Sequence, residues 1–240
     1  IQELAQMEPS ACQIIDMRDE TAFALLFDRV FSEHLVKFDV THCDMTTARS
    51  FAQAGRHESE PNAYERLRGQ IIEHIKRSPY EWSDLQQIVQ IVDTDGAFVP
   101  DDCVVQSEGG ALVYGYDKIE APDRDQICRR NKRKKEALSK LCGKRLFTYE
   151  KKNVPYAVYY LSRNMEHVLH NRADEVSDRE KELLSRAFRR RYQNDLAGFQ
   201  DFLRTSDFSE EGDCAETWRS IRQGTRSLER RSNLHLVLPE

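Results

Sequence analysis

The feature that most constrains this chain is the run IVQIVDTDG at residues 88–96. Ile88, Val89, Ile91 and Val92 surround a single polar residue, Gln90, the pattern of a β-strand covered on both faces. The strand runs straight into Asp93-Thr94-Asp95-Gly96. Gly96 accepts backbone conformations that let the chain turn away at once. In layered α/β folds, functional side chains collect at the carboxyl ends of such strands.

The rest of the chain supplies neighbours for that strand. Residues 12–16 (CQIID) read as a strand, and 21–35 place Phe23, Leu26, Phe27, Val30, Phe31 and Leu35 on one helical face. Residues 38–42 alternate like a strand, 44–49 form a polar connection and 55–61 a loop. A helix over 63–77 buries Leu67, Ile71, Ile72 and Ile75 and stops before Ser78-Pro79. Residues 97–125, with Pro100, Gly109-Gly110 and Pro122, read as irregular, and 124–142 as a basic helix. A second buried-type strand, YAVYYL, falls at 156–161, with its tyrosines as core rather than a stacking surface. A helix or turn at 165–170 and a helix at 177–192 follow, the latter acidic at its start and basic at its end. Segments 196–203, 214–223 and 234–238 complete the chain. Strands alternating with helices imply an α/β fold: a mainly parallel open sheet with helices on both faces, a helix-rich insert and C-terminal helices. Residues 1–240 are expected as a single domain with the basic helical insert at about 97–152.

Net charge is −5, but its distribution is uneven. Residues 129–152 hold eleven Lys or Arg against Glu136 and Glu150, which gives +9 there and −14 over the rest. Arg129, Arg130, Lys132, Arg133, Lys134 and Lys135 are candidates to track a nucleic-acid backbone. A solvated helix face is the alternative. The six cysteines form no C-x-x-C pair and no zinc-type spacing, so free thiols in a reducing compartment are expected. No apolar run reaches the roughly 20 residues of a membrane helix, and no signal-peptide pattern opens the chain. The cytoplasm is the expected location. There is no P-loop and no G-x-S-x-G.

Three acidic positions fall at expected strand ends. Asp16 closes the first strand, with Asp19 and Glu20 just after it; Asp93 and Asp95 close the third; Glu166 follows the fourth. In an extended chain, Asp93 and Asp95 would point the same way and could face one cation. Mg²⁺ and Mn²⁺ take such oxygen ligands, and carboxylates from separate strands suit phosphoryl chemistry. An Asx-type turn leaving a strand is the competing explanation of Asp93-Thr94-Asp95-Gly96. His167 and His170 share a face if their segment is helical, as an acid–base pair, as metal ligands or as structural histidines.

Taken in order, these residues resemble the Toprim-type nucleases, in particular the RloB-like branch associated with bacterial defence. IVQIVDTDG stands where that branch has its Asp-x-Asp, and 162–170 (SRNMEHVLH) is similar to its Ser-Asn segment followed by Glu and a Leu-His pair. Residues 232–237 (SNLHLV) are similar to its ending. The resemblance implies a Toprim-like fold and a metal-dependent nuclease that hydrolyses phosphodiesters in anti-phage defence. Asp93 and Asp95 would ligate Mg²⁺ or Mn²⁺, Asp16 would act as acid–base group or further ligand, and Glu166 would complete the site. An ATPase partner protein is also implied, since such nucleases often work beside one. Toprim domains carry Glu-Gly after the first strand, whereas Asp16-Met17-Arg18 stands here. Glu20 folding back could replace the missing glutamate. The same departure favours an alternative, a non-catalytic module that binds nucleic acid or protein through its basic insert. A third class is a phosphatase or nucleotide hydrolase. Gly96-Ala97 after Asp95 lacks the nucleophile loop of the haloacid-dehalogenase type.

Overall fold

The computed structural model describes residues 11–16, 21–32, 36–41, 63–174 and 176–239, for 11–16 and 36–41 the backbone alone. Strand β1 (Ala11–Asp16), helix α1 (Thr21–Ser32), strand β2 (Val36–Thr41), helix α2 (Ala63–Ile75) and strand β3 (Leu85–Asp93) come first. Three short strands follow, β4 (Val104–Gln106), β5 (Val113–Tyr114) and β6 (Ile119–Ala121). Next are helix α3 (Arg124–Cys142) and strands β7 (Leu146–Tyr149) and β8 (Lys152–Leu161). Helices α4 (Met165–His170), α5 (Asp178–Tyr192), α6 (Leu196–Thr205) and α7 (Cys214–Ser220) complete an α/β structure. Leu35, the connection at 44–49 and the loop at 55–61 lie outside the described residues.

The larger sheet has the order β2-β1-β3-β8-β7. Neighbours among β2, β1, β3 and β8 pair in parallel, and β7 is antiparallel to β8. The chain leaves β1 to one side for β2, then returns to β1's other side with β3. The crevice beyond the carboxyl ends of β1 and β3 is therefore a topological switch point, where α/β sheets place their sites. Alternation along the central strands feeds two cores. Val89, Ile91, Tyr159 and Leu161 pack with α1, α4, α5 and α6 through residues such as Phe23, Phe27, Phe188 and Phe199. Ile88, Val92, Tyr156, Val158 and Tyr160 pack with α2, α3 and α7. The expected inner face of α1 is buried at Phe23, Leu26, Phe27, Val30 and Phe31, and the tyrosines of β8 are core.

Two elements depart from expectation. Residues 97–125 are not irregular throughout, because β4, β6 and β5 form a small mixed sheet. Its few apolar residues show no periodicity, but Val99, Val104, Ile119 and Ala121 close a core with Ile127 and Leu228 from elsewhere in the chain. Strand β7 also went unforeseen. Its hairpin turns at Glu150 with φ of +52°, without the Asn-Gly or Asp-Gly that marks such turns.

Beyond Pro155, β8 has lost its β7 partner, and the C-terminal segment covers that edge. Ser162 N donates to Arg231 O at 2.9 Å, Ser232 Oγ donates to Tyr160 O at 2.8 Å, and Tyr160 N donates to Asn233 Oδ1 at 2.8 Å. Asn233 Nδ2 reaches on to Thr217 Oγ1 at 2.9 Å. Ser232 and Asn233 are almost fully buried, so this Ser-Asn pair closes an otherwise open sheet edge. Asn233→Ala leaves the Tyr160 N–H buried without an acceptor, at a cost of about 2–3 kcal/mol. The expected result is a lower urea midpoint at unchanged m-value; an unmoved midpoint would show that the edge does not need this side chain.

Candidate functional site

The ladder between β3 and β8 continues past the strand ends into two turns. Asp93 is registered opposite Leu161, after which Thr94 N donates to Leu161 O at 2.9 Å and Asp95 N to Arg163 O at 3.0 Å. In return Arg163 N donates to the hydroxyl of the buried Thr94 at 3.1 Å. This interlock holds two non-glycine residues in the left-handed region, Asp95 at φ +47° and Arg163 at +56°, a conformation that concentrates at functional sites. Gly96 follows at φ +70°, and a β-carbon there would sit 2.9 Å from Ile119 Cδ1. A side chain there would strain the backbone and displace the Ile119 methyl, so glycine fits best.

Helix α3 delivers the charges around this turn. Its N-terminus is fixed by Asp123, whose side chain accepts from Gln126 N at 2.8 Å. Its buried residues are Ile127, Asn131, Lys134, Leu138 and Leu141, an inward stripe that includes two polar residues. Lys134, with a side chain only 3% exposed, forms an ion pair with Asp95 Oδ2, whose own side chain is 30% exposed. Arg130 donates to Asp95 O at 2.9 Å, to Tyr114 Oη at 2.8 Å and to Asn131 Oδ1 at 2.8 Å. The Tyr114 ring has the Arg163 guanidinium 5.2 Å and that of Arg130 5.9 Å from its centroid. Burial raises the Tyr114 phenol above its ordinary range, against the lowering effect of Arg130, so the hydroxyl stays protonated at neutral pH.

The acidic positions are not equivalent. Alternation stops at Asp93, because Asp95 turns left-handed and takes its carboxylate to α3. Asp93 is half-buried, opposite Leu161 of the α1-side core, and has an interaction of its own. Strand alternation therefore does not aim the two aspartates together. Asp16 is the last residue of β1 and stands level with Gln90, three residues before Asp93 on the neighbouring strand. Glu20 lies outside the described residues. Glu166, in the first turn of α4, is 13% exposed and pairs with Lys181 of α5 at 3.3 Å. Among the described residues, no three His, Cys, Asp or Glu side chains are grouped closely enough to hold a metal ion.

The basic strip divides in two. Arg129, Lys132, Arg133 and Lys135 are exposed on α3. Arg130 is half-buried and Lys134 buried, so these two serve the Asp95 turn instead of the surface. The stripe 127-131-134-138-141 was a legible sign that Lys134 turns inward. Tyr114 and Arg163 were not singled out, since their neighbours are distant in sequence. A shallow groove of about 390 Å³ lies elsewhere, lined by Leu183, Arg186, Arg189, Arg190 and Gln193 of the α5 region.

The two histidines have separate surroundings. His170 packs edge-on to Phe188, with centroids 5.4 Å apart. His167 is 2% exposed, and its Nδ1 is buried without a hydrogen-bond partner among the described residues. Burial first, then the Arg163 charge, push its pKa down to about 4, so it is neutral at physiological pH. In comparison with known proteins, the chain matches no family model, no curated protein and no solved structure.

A histidine depressed from 6.5 to about 4 binds its proton later in the fold than in the unfolded chain. Its contribution is complete above pH 6.5 and is lost as pH falls toward 4. Between pH 7 and 5 the expected loss is about 1–2 kcal/mol. Urea unfolding of the wild type and His167→Gln at both pH values checks this. The fall should be shallower in the variant, and equal falls would place the acid sensitivity elsewhere.

Proposed function

We propose that the protein is a divalent-metal-dependent nuclease that hydrolyses phosphodiesters, with a Toprim-like variant of the α/β fold. The observation that carries this is the double role of α3. One helix turns Lys134 and Arg130 onto the Asp95 turn and presents Arg129, Lys132, Arg133 and Lys135 to solvent. A polynucleotide laid along the exposed cations would be held on the helix whose inner face meets the Asp95 turn.

In this reading Asp93 and Asp95, which strand alternation does not aim together, would be drawn onto Mg²⁺ or Mn²⁺ by the ion itself, with Asp16 as further ligand or acid–base group and Glu166 and Glu20 in supporting places. Lys134 engages Oδ2 of Asp95, which leaves Oδ1 outside the pair, and the donor set is of the hard-oxygen type these ions take. When bound, the ion supplies an activated water and charge stabilisation at phosphorus. Lys134 and Arg130 add fixed positive charge where negative charge develops on the phosphoryl oxygens. The resemblance to the RloB-like branch extends the proposal to cytoplasmic anti-phage defence beside an ATPase partner.

A second reading, a non-catalytic nucleic-acid-binding module, is favoured by one observation. Lys134 already neutralises Asp95, so the turn is electrostatically satisfied without a cation.

Incubation of mixed DNA and RNA substrates with Mg²⁺, Mn²⁺ or EDTA separates the two. The nuclease reading expects metal-dependent cutting that Asp93→Asn and Asp95→Asn each reduce by about 100-fold or more. Binding without cutting, with a log–log salt slope that Lys132→Ala lowers by about 1, would establish the module instead.

A further inference from the structure

We propose that Arg163, with Arg130 and Lys134, forms a metal-independent subsite for a phosphoryl group beside the Asp95 turn. The case begins with a buried charge that has no carboxylate bonded to it directly, Asp174 acting on it only from beyond ion-pair distance. Arg163 is 5% exposed, yet among the described residues no carboxylate lies within ion-pair distance of it. Its Nη2 donates to the carbonyl of Ala173, its guanidinium lies over the Tyr114 ring, and its Nε is buried with no hydrogen-bond partner. Burying a guanidinium without a negative partner is costly, and buried arginines are normally matched by carboxylate or phosphate.

The surroundings reinforce that imbalance. Arg130, Lys134 and Arg163 converge on a turn whose own carboxylate, Asp95, is already taken by Lys134. Of these three cations, Lys134 alone has a carboxylate within ion-pair distance among the described residues, and Asp174 acts on Arg163 from farther off. Arg163 is also held in a left-handed backbone conformation by its interlock with Thr94 and Asp95, so its position is tied to the strand ends rather than to a mobile surface. His167, neutral and next in the electrostatic neighbourhood of Arg163, adds no competing charge. Asp95, with a side chain 30% exposed, and the half-buried Tyr114 give this neighbourhood its solvent-facing atoms. A planar guanidinium with free N–H capacity suits the tetrahedral, multiply charged oxygens of phosphate.

A purely structural role is the competing explanation: Arg163 would staple the loop at Ala173 to Tyr114 of β5. That role needs no unfilled Nε, and it predicts no anion binding. The subsite rests on the nuclease reading only for the polymer that would carry the phosphate.

The test is calorimetric titration of inorganic phosphate, and of a short single-stranded oligonucleotide, in EDTA at constant ionic strength. The wild type is expected to bind both in competition. Arg163→Gln, assayed at a temperature where circular dichroism shows it folded, is expected to weaken both by about 10- to 100-fold. Asp95→Asn, which releases Lys134, is expected to strengthen phosphate binding while ending any metal-dependent cutting. If Arg163→Gln fails to fold, Arg163→Lys and Arg130→Gln decide, since phosphate binding unchanged in both would overturn the subsite. Absence of phosphate binding to the wild type would overturn it as well, and cutting that persisted would leave the nuclease reading standing. Phosphate binding through Arg163 with no cutting in any metal would keep the subsite and remove the nuclease. Loss confined to free phosphate would keep the subsite and assign it to small phosphate esters.

Discussion

The ion pair between Lys134 and Asp95 is the contact on which the arrangement around the sheet's carboxyl edge depends. A lysine with a side chain 3% exposed is tolerable only beside a negative charge, and removing one partner of such a pair costs about 3–5 kcal/mol. Asp95 can be that partner because its left-handed backbone turns the carboxylate toward α3. That conformation is held by Thr94 and Arg163, whose mutual hydrogen bonds carry the β3–β8 ladder past its last strand residues. Gly96 then lets the chain pass under Ile119 and Tyr114. One electrostatic requirement thus ties together the central strands, the basic helix and the small sheet between them.

The small sheet is more than a decoration on this frame. Its core takes Ile127 from α3 and Leu228 from the C-terminal region, and its Tyr114 sits against both Arg130 and Arg163. The segment between β3 and α3 therefore covers the turn while fixing the helix that supplies the cations. At the opposite side of β8, Ser232 and Asn233 do a quieter task with the same economy of side chains, satisfying Tyr160 above and Thr217 behind. Within the SNLHLV ending, Ser232 and Asn233 act in this structure as an edge cover.

Two segments that look alike as sequence differ in environment. The basic strip reads as uniform, yet the 3.6-residue period of α3 sends Lys134 to the interior and its neighbours Arg133 and Lys135 to solvent. Likewise His167 and His170, three apart, have different surroundings: one is buried and neutral, the other packs on Phe188. In both cases a local cluster of one residue type is divided by the helix that carries it.

The sequence alone determined what depends on short-range periodicity. The buried strand before Asp93, the apolar face of α1, the core tyrosines of β8 and the extent of α3 were all legible, because burial imposes periods of 2 or 3.6 on neighbouring residues. The stripe through Asn131 and Lys134 was legible too, though easily lost in so basic a helix. Only the tertiary structure decided which acid meets which cation. Lys134 and Asp95 are 39 residues apart, Arg163 and Thr94 are 69 apart, and Asn233 reaches back 73 residues to Tyr160. The short strands β4 to β7 were hidden for the same reason. Each is stabilised by apolar or hydrogen-bonding partners from distant parts of the chain, and such pairings leave no mark on the local pattern of either partner.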